Sequence, residues 1–367
     1  MKVSRYNYPS QFGDDFQRLL QDIKNMILQG HYILTDEVRQ FELDFARCLG
    51  AQHACGVNCG TDALVIALFV LGVKDGAEVI TQANTFHATV AAIRLAGATP
   101  VLVDANEESF LIDESQVEAA ITARTRVILP VHLYGKPTPM EGLLKLAERK
   151  QIDVIEDAAQ AHGAQIGNRT VGTFGIMGCF SFHPSKNLAA AGDGGAIVTD
   201  SEEMNERIQL CRALGQSSQN DHVTLGLNSK LDAIQARILS WKLPYLQAWN
   251  QARREVAEWY RDRLNALPIQ FQKASLEEKH VYHLFQVRTD ARDRLLTHLR
   301  TSGVDAVVRY PTPIHLQRAF SDCGWREGQF PIAERLAREL LCLPIRPDMS
   351  IDEVDFVADR VSEFFGH

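Results

Sequence analysis

Apolar residues at Phe16, Leu19, Leu20, Ile23, Met26 and Ile27 recur at the spacing of one helix face and stop at Gly30. Val38, Phe41, Phe45 and Leu49 repeat the pattern and stop at Gly50. Beyond that point short apolar runs alternate with helical stretches. Strands are predicted over 78–81, 100–104, 126–131, 152–156, 178–182 and 195–199. Val101-Leu102-Val103 and Val127-Ile128-Leu129 are continuous rather than alternating, as in strands covered on both faces. Helices over 115–121 and 140–150 fall between strands and imply crossovers in a mainly parallel sheet. After about Leu243 the pattern changes. A long helical stretch runs through Trp249, Val256, Tyr260 and Leu264, followed by a strand over 282–288, a helix near 295–300, a strand-like segment over 304–310 and two final helices. The expectation is an α/β protein. An N-terminal segment and a large α/β domain fill 1–245, and a smaller α+β domain fills 246–367.

The 367 residues are 46% hydrophobic and 23% charged, ordinary for a globular chain long enough for two domains. A formal net charge of -8 argues against non-specific binding to nucleic acid. The start, Met1-Lys2-Val3-Ser4-Arg5-Tyr6, lacks the apolar stretch of a secretory signal, and no uncharged apolar run approaches the roughly 20 residues that span a bilayer. The run near Ala63 to Gly72 reads as a buried helix. Seven scattered cysteines make a poor disulfide framework and point to a reducing, cytoplasmic compartment. Cys55 and Cys59 have no second Cys/His pair at metal spacing, so they read as small core residues and no metal is expected.

Four segments carry candidate chemistry. Asp157, in Ile155-Glu156-Asp157-Ala158-Ala159-Gln160, follows an apolar strand at its carboxyl end, where open α/β sheets place ligands. It either caps a following helix or, half desolvated among alanines, pairs with a cation such as a protonated pyridine nitrogen. Lys186, in Ser181-Phe182-His183-Pro184-Ser185-Lys186, sits on a turn past the next strand. There it is either one more solvated lysine or a desolvated amine made nucleophilic toward an aldehyde. Ser181 on the same turn can donate to a phosphate, and His183 either lines such a site or packs as an ordinary histidine. Gly192-Asp193-Gly194-Gly195 precedes a strand instead of following one, so it is a tight turn and not a dinucleotide fingerprint. Gly60 and Thr61 lie at the start of an apolar helix, whose free N–H groups favour an anion, although Thr61 or Asp62 equally reads as a plain cap. Phe86, in Asn84-Thr85-Phe86, either stacks on a planar ring or joins the core.

Taken together, Gly60-Thr61-Asp62-Ala63-Leu64, Asn84-Thr85-Phe86, Glu156 to Gly163, Ser181 to Lys186, Gly192 to Gly195, Asn228-Ser229-Lys230-Leu231-Asp232 and Tyr310 to Gln317 resemble the DegT/StrS-type sugar aminotransferases in order and spacing over nearly the whole chain. The resemblance implies a fold-type I, pyridoxal 5'-phosphate-dependent transaminase, working as a homodimer with active sites between subunits. It would move an amino group from an amino acid, glutamate in the first instance, to a keto sugar, by way of pyridoxamine 5'-phosphate. It implies Lys186 as the Schiff-base lysine, Asp157 as partner of the pyridine nitrogen, Gln160 at the ring hydroxyl and Phe86 stacked on the ring. Gly60, Thr61 and Ser181 would hold the phosphate, helped by Asn228 of the partner subunit. His183, Arg309, Tyr310, His315 and Gln317 would face the substrate. Arg309 stands where many nucleotide-sugar members carry His, and Ala306, Lys230 and Thr35 also depart from the common residues. These departures bear on the substrate, which leaves a cyclitol or other cyclic ketone as an alternative to a nucleotide-linked sugar. Lys186 argues against the dehydratases of the same fold, in which His replaces the lysine, and a cofactor-binding regulator without turnover is the remaining alternative.

Overall fold

The computed structural model describes residues 1–366; His367, which closes the second predicted unit, lies outside the described residues. Its central sheet has seven strands: β1 (His53–Val57), β2 (Glu78–Gln82), β3 (Thr99–Val103), β4 (Thr125–Ile128), β5 (Asp153–Asp157), β6 (Met177–Ser181) and β7 (Gly195–Thr199). Their spatial order is β1-β7-β6-β5-β4-β2-β3. The run β6-β5-β4-β2-β3 is parallel throughout, while β7 is antiparallel to both β1 and β6. The sheet is therefore mainly parallel, as the continuous apolar runs predict.

Successive residues of each strand serve different cores. Val79 of β2 and Ile155 of β5 pack with Leu64, Ile66 and Leu68 of helix Gly60–Val70. Their neighbours Ile80 and Val154 pack on the opposite face with Leu143 and Leu146 of helix Met140–Lys150. Ile66 and Leu68 are fully buried, and each such side chain contributes on the order of 1.5–3 kcal/mol on removal from water. From Ala63 onward helix Gly60–Val70 is apolar around its circumference and mostly buried, with Phe69 its one exposed side chain. The two N-terminal helices, Phe16–Gln29 and Asp36–Leu49, end where the pattern stops: Gly30 and Gly50 adopt left-handed backbone with φ of 75° and 77°.

In the second part of the chain, helix Leu246–Leu264 leads into an antiparallel sheet of Gln270–Phe271, Phe285–Arg288 and Leu340–Leu343. Helices Arg292–Thr301 and Ile351–Phe365 close over it, with Tyr260, Phe285, Leu295, Leu341 and Val357 at the centre. Val3 joins this core and bridges to Val304 in parallel fashion, so the first residues of the chain sit beside the last hundred.

Four elements differ from expectation. Strand β1, His-Ala-Cys-Gly-Val, gives no apolar run and is not legible as a strand. Leu340–Leu343 continues the apolar periodicity of helix Pro331–Glu339 and is hidden by it. The strand expected over 282–288 begins only at Phe285, because Tyr282 turns the backbone to φ 41°. The segment 304–310 forms two isolated bridges in place of a strand and ends at Tyr310 with φ 59°. Among the described residues no helix is long and apolar enough to cross a membrane.

Candidate active site

One cavity of about 330 Å³ opens at the carboxyl ends of the parallel strands. Asp157 ends β5, Ser181 ends β6, and the N-terminus of helix Gly60–Val70 follows β1. The cavity collects Gly60, Thr61, Phe86, Asp157, Gln160, Ser181, His183, Lys186, Arg309 and Tyr310 from the predicted set.

Glu156 and Asp157 illustrate how strand alternation separates two adjacent carboxylates. Glu156, fully buried, turns away from the cavity and accepts from the Gly172, Phe174 and Gly175 N–H groups at 2.7, 2.6 and 2.7 Å, with His132 Nε2 at 2.9 Å. Asp157 turns to the cavity. The Thr89 hydroxyl donates to its Oδ2 at 2.8 Å and the Ala159 N–H to its Oδ1 at 3.2 Å. Burial pushes its carboxyl above the ordinary value, and the two hydrogen bonds and then the Lys186 and His132 charges work against that rise. A carboxylate so enclosed gains most from a cation brought to it.

Lys186 follows β6 on the turn that Pro184 enforces, and its N–H closes that turn onto the His183 carbonyl at 2.8 Å. Buried Asn187 anchors the next residue, donating to Asn250 Oδ1 at 3.0 Å and to the Val281 carbonyl at 2.9 Å. Part of Lys186 is reached from the cavity, yet protein surrounds its amine. Desolvation lowers its pKa to about 8; Asp157 opposes that fall and Arg309 adds to it. His183 is exposed at the rim, where its Nδ1 accepts from the Ser185 N–H at 3.2 Å.

The anion-binding end is built by close approach. Cys59 is the helix cap, its Sγ accepting from the Asp62 N–H at 3.4 Å, so neither Thr61 nor Asp62 is the cap residue. Asp62 instead accepts from the Ser229 hydroxyl at 2.6 Å. A Cβ at position 60 would stand 2.6 Å from Ser181 Cβ, and one at position 195 would stand 2.5 Å from the Cys59 carbonyl carbon. Glycine at both places lets the helix N-terminus close on Ser181 and β7 close on the helix. The helix dipole, the first N–H groups and the Ser181 hydroxyl then converge in the manner a single phosphate requires. Asp157, Lys186 and this cradle together fit pyridoxal phosphate.

Gln160 is held at both ends: its Oε1 accepts from the Tyr134 N–H at 2.8 Å and its Nε2 donates to the Tyr310 hydroxyl at 2.7 Å. Tyr134 and Tyr310 both have left-handed backbone, φ 65° and 59°, which clusters strain beside the cavity. Phe86, half exposed, leans on the Tyr310 ring with centroids 5.8 Å apart.

Three predicted residues do not line the cavity. The His315 side chain is fully buried and its Nε2 lies 2.9 Å from Glu334 Oε1, so it is a packed histidine. Gln317 is taken up by His87 Nδ1 at 3.0 Å and the Thr312 carbonyl at 3.2 Å. Asn228 is exposed and accepts from Lys230 outside the cavity of its own chain. The sequence reading missed Thr89, Asp193 and His283. Thr89 lies three residues beyond Phe86, on helix His87–Leu95, whereas nothing in the sequence marks His283, which burial holds well below the ordinary histidine pKa.

The mainly parallel sheet, flanked by helices and carrying this cavity at its carboxyl edge, is that of the fold-type I aminotransferases, and similar solved structures share it. The crystal structure of DesV from S. venezuelae in complex with a ketimine intermediate matches with a TM-score of 0.97 and 40% identity, covering 100% of this chain and 99% of that one. The chain belongs to the DegT/DnrJ/EryC1/StrS aminotransferase family, whose pattern it matches over residues 14–362, and the cofactor is pyridoxal phosphate. The dTDP-3-amino-3,4,6-trideoxy-alpha-D-glucose transaminase of Streptomyces venezuelae is 42% identical over 93% of this chain and 90% of that protein. A pleiotropic regulatory protein of Geobacillus stearothermophilus is 40% identical over the full length of both.

Proposed function

We propose that the protein transfers an amino group from an α-amino acid, glutamate in the first instance, to a nucleotide-linked keto sugar. The observation that carries this reading is the meeting of Asp157, Lys186 and the Gly60–Ser181 cradle in one cavity. When bound, pyridoxal phosphate supplies an aldehyde for the amine and a ring that disperses the electron pair released at the donor's α-carbon. The first N–H groups of helix Gly60–Val70 and the Ser181 hydroxyl would hold the phosphate by hydrogen bonds. Asp157 Oδ atoms, fixed by Thr89 and Ala159, would hold a proton on the pyridine nitrogen. Lys186 Nζ, with a pKa of about 8, is neutral often enough near pH 7.5 to take the α-proton and return it. Phe86 would pack against the bound ring, and Gln160 holds the Tyr310 hydroxyl in the same cavity.

The apolar residues Tyr32, Ile33, Leu34, Val223, Leu225 and Leu227 are all exposed in the single chain, which supports a homodimer that covers them and brings Asn228 to the partner's cavity. Seven free cysteines support a cytoplasmic location. The test is to load the protein with pyridoxal phosphate, add L-glutamate and a panel of dTDP- and UDP-linked keto sugars, and detect the amino sugar by mass spectrometry. Formation of product by wild type and none by Lys186→Ala is expected; equal product from both refutes the reading.

A further inference from the structure

We propose that Arg309, positioned by Tyr6, binds the carboxylate of the amino donor, an assignment that rests on the transamination reading above. Every α-amino acid carries an anion one bond from the carbon whose amine must reach the cofactor, so the anion has to enter the same cavity as Lys186. An unpaired carboxylate in an enclosed site is strongly disfavoured, and a cation must meet it. The lining offers few. Lys186 is itself the reacting amine, and His283 is buried and kept neutral. His183, at the exposed rim, is held below its ordinary pKa by partial desolvation and then by the Lys186 charge, and already uses Nδ1 within its own turn. Asp157 and Asp193 repel an anion.

Within one subunit, Arg309 alone carries a permanent positive charge into this lining. Among the described residues no carboxylate pairs with it, and its one side-chain hydrogen bond is donated by Nη2 to the neutral Tyr6 hydroxyl at 3.0 Å. The remaining guanidinium N–H groups are those of a planar fork suited to a carboxylate. The phosphate cradle belongs to different elements, so the two anions do not compete. A sugar nucleotide's phosphates, by contrast, lie several bonds from the reacting carbon and do not call for a cation beside Lys186.

Tyr6 is well placed to aim the guanidinium because the residues around it are tied down. Arg5 pairs with Asp305 at 3.1 Å, the Ser4 carbonyl accepts from Arg346 at 2.8 Å, and Asn7 donates to Asp348 at 2.6 Å. The N-terminal segment thus acts as a brace for a residue some three hundred positions away.

The experiment follows the donor half-reaction alone. Protein loaded with pyridoxal phosphate is mixed with increasing L-glutamate and the change in cofactor absorbance is recorded in a single turnover, while calorimetry measures binding of glutarate, which has no amine and cannot react. Arg309→Leu is expected to weaken both glutamate and glutarate by roughly 10- to 100-fold, the range of a lost charged hydrogen-bonding partner. Arg309→Lys should recover part of the loss, and Tyr6→Phe should move the same affinities in the same direction by less, with the limiting rate little changed. Cofactor retention by Arg309→Leu equal to wild type establishes that its site is intact. Unchanged glutamate and glutarate affinities in Arg309→Leu overturn the proposal, as does a loss confined to the keto-sugar half-reaction. Wild-type protein that binds glutarate through Arg309 yet transfers no amine overturns the transamination reading and leaves the carboxylate site standing.

Discussion

If the cavity desolvates Lys186 as its surroundings require, its amine titrates near 8 and not near 10.5. The consequence is measurable in the cofactor-free protein by brief reductive methylation with formaldehyde, which consumes neutral amine. For a pKa of about 8 the neutral fraction rises from about 0.09 at pH 7 to about 0.9 at pH 9, a gain of about 10-fold. For an ordinary lysine near 10.5 the same interval gives a gain of about 100-fold. Because the ratio between two pH values is used, restricted access to the cavity cancels. Quantifying the Lys186 peptide by mass spectrometry against peptides bearing exposed lysines supplies both curves from one sample. The charges around the amine set the direction of two variants. Arg309→Leu removes a repelling cation and should shift the Lys186 curve to higher pH, whereas Asp157→Asn removes an attracting carboxylate and should shift it lower. A Lys186 curve that rises about 100-fold, in parallel with the exposed lysines, refutes the argument from desolvation.

Glu156→Ala strands the buried Gly172 N–H, the partly buried Phe174 and Gly175 N–H groups and the buried His132, so a loss of about 3–5 kcal/mol in urea unfolding is expected; a loss within about 0.5 kcal/mol contradicts the accounting. Gly60→Ala forces the helix start away from Ser181 and should lower pyridoxal phosphate affinity by about 10-fold or more in a spectroscopic titration, with little change in the thermal midpoint. Asn228→Ala should lose cofactor more readily than wild type. If Asn228 serves the other subunit, mixing Asn228→Ala with Lys186→Ala at limiting cofactor should regenerate up to roughly a quarter of wild-type activity through mixed dimers, and a mixture no more active than its parents measured separately contradicts the shared site.

The central sheet was legible because burial on both faces leaves a mark that local sequence can carry. Every residue of β2 is buried, and Val-Ile within it is apolar without alternation. The same logic explains the failure at β1. There a central requirement, room for Leu231 beside Gly56, selects small residues: a Cβ at 56 would stand 2.9 Å from Leu231. Small residues meet that requirement but erase the hydrophobic signal. At 304–310 the apolar residues serve bridges to two different partners, Val3 and Cys342, which are far from one another in sequence. A strand-like composition is then the result of two separate contacts and not of a ladder.

Site residues divide along a similar line. Asp157 and Lys186 are placed by the ends of strands, and a strand end can be read from where an apolar run stops; this fixed which side chains reach the carboxyl edge before any coordinates. Arg309 and Tyr310 reach the same cavity from beyond a segment with no regular structure, and His283 reaches it after a left-handed tyrosine. Such residues are positioned by tertiary contacts, Tyr310 by Gln160 and Arg309 by Tyr6, that no local pattern encodes. His315 shows the converse. Its motif resembled that of residues facing a substrate, but Glu334 lies 19 positions on and captures its imidazole inside the core. Chemistry that depends on the sheet is therefore inherited with the fold, whereas the groups that select a substrate hang on individual side-chain contacts. The departure of Arg309 from the common histidine changes one such contact and, through its charge, bears on the Lys186 amine, while Asp157 and Lys186 keep the places the strand ends give them.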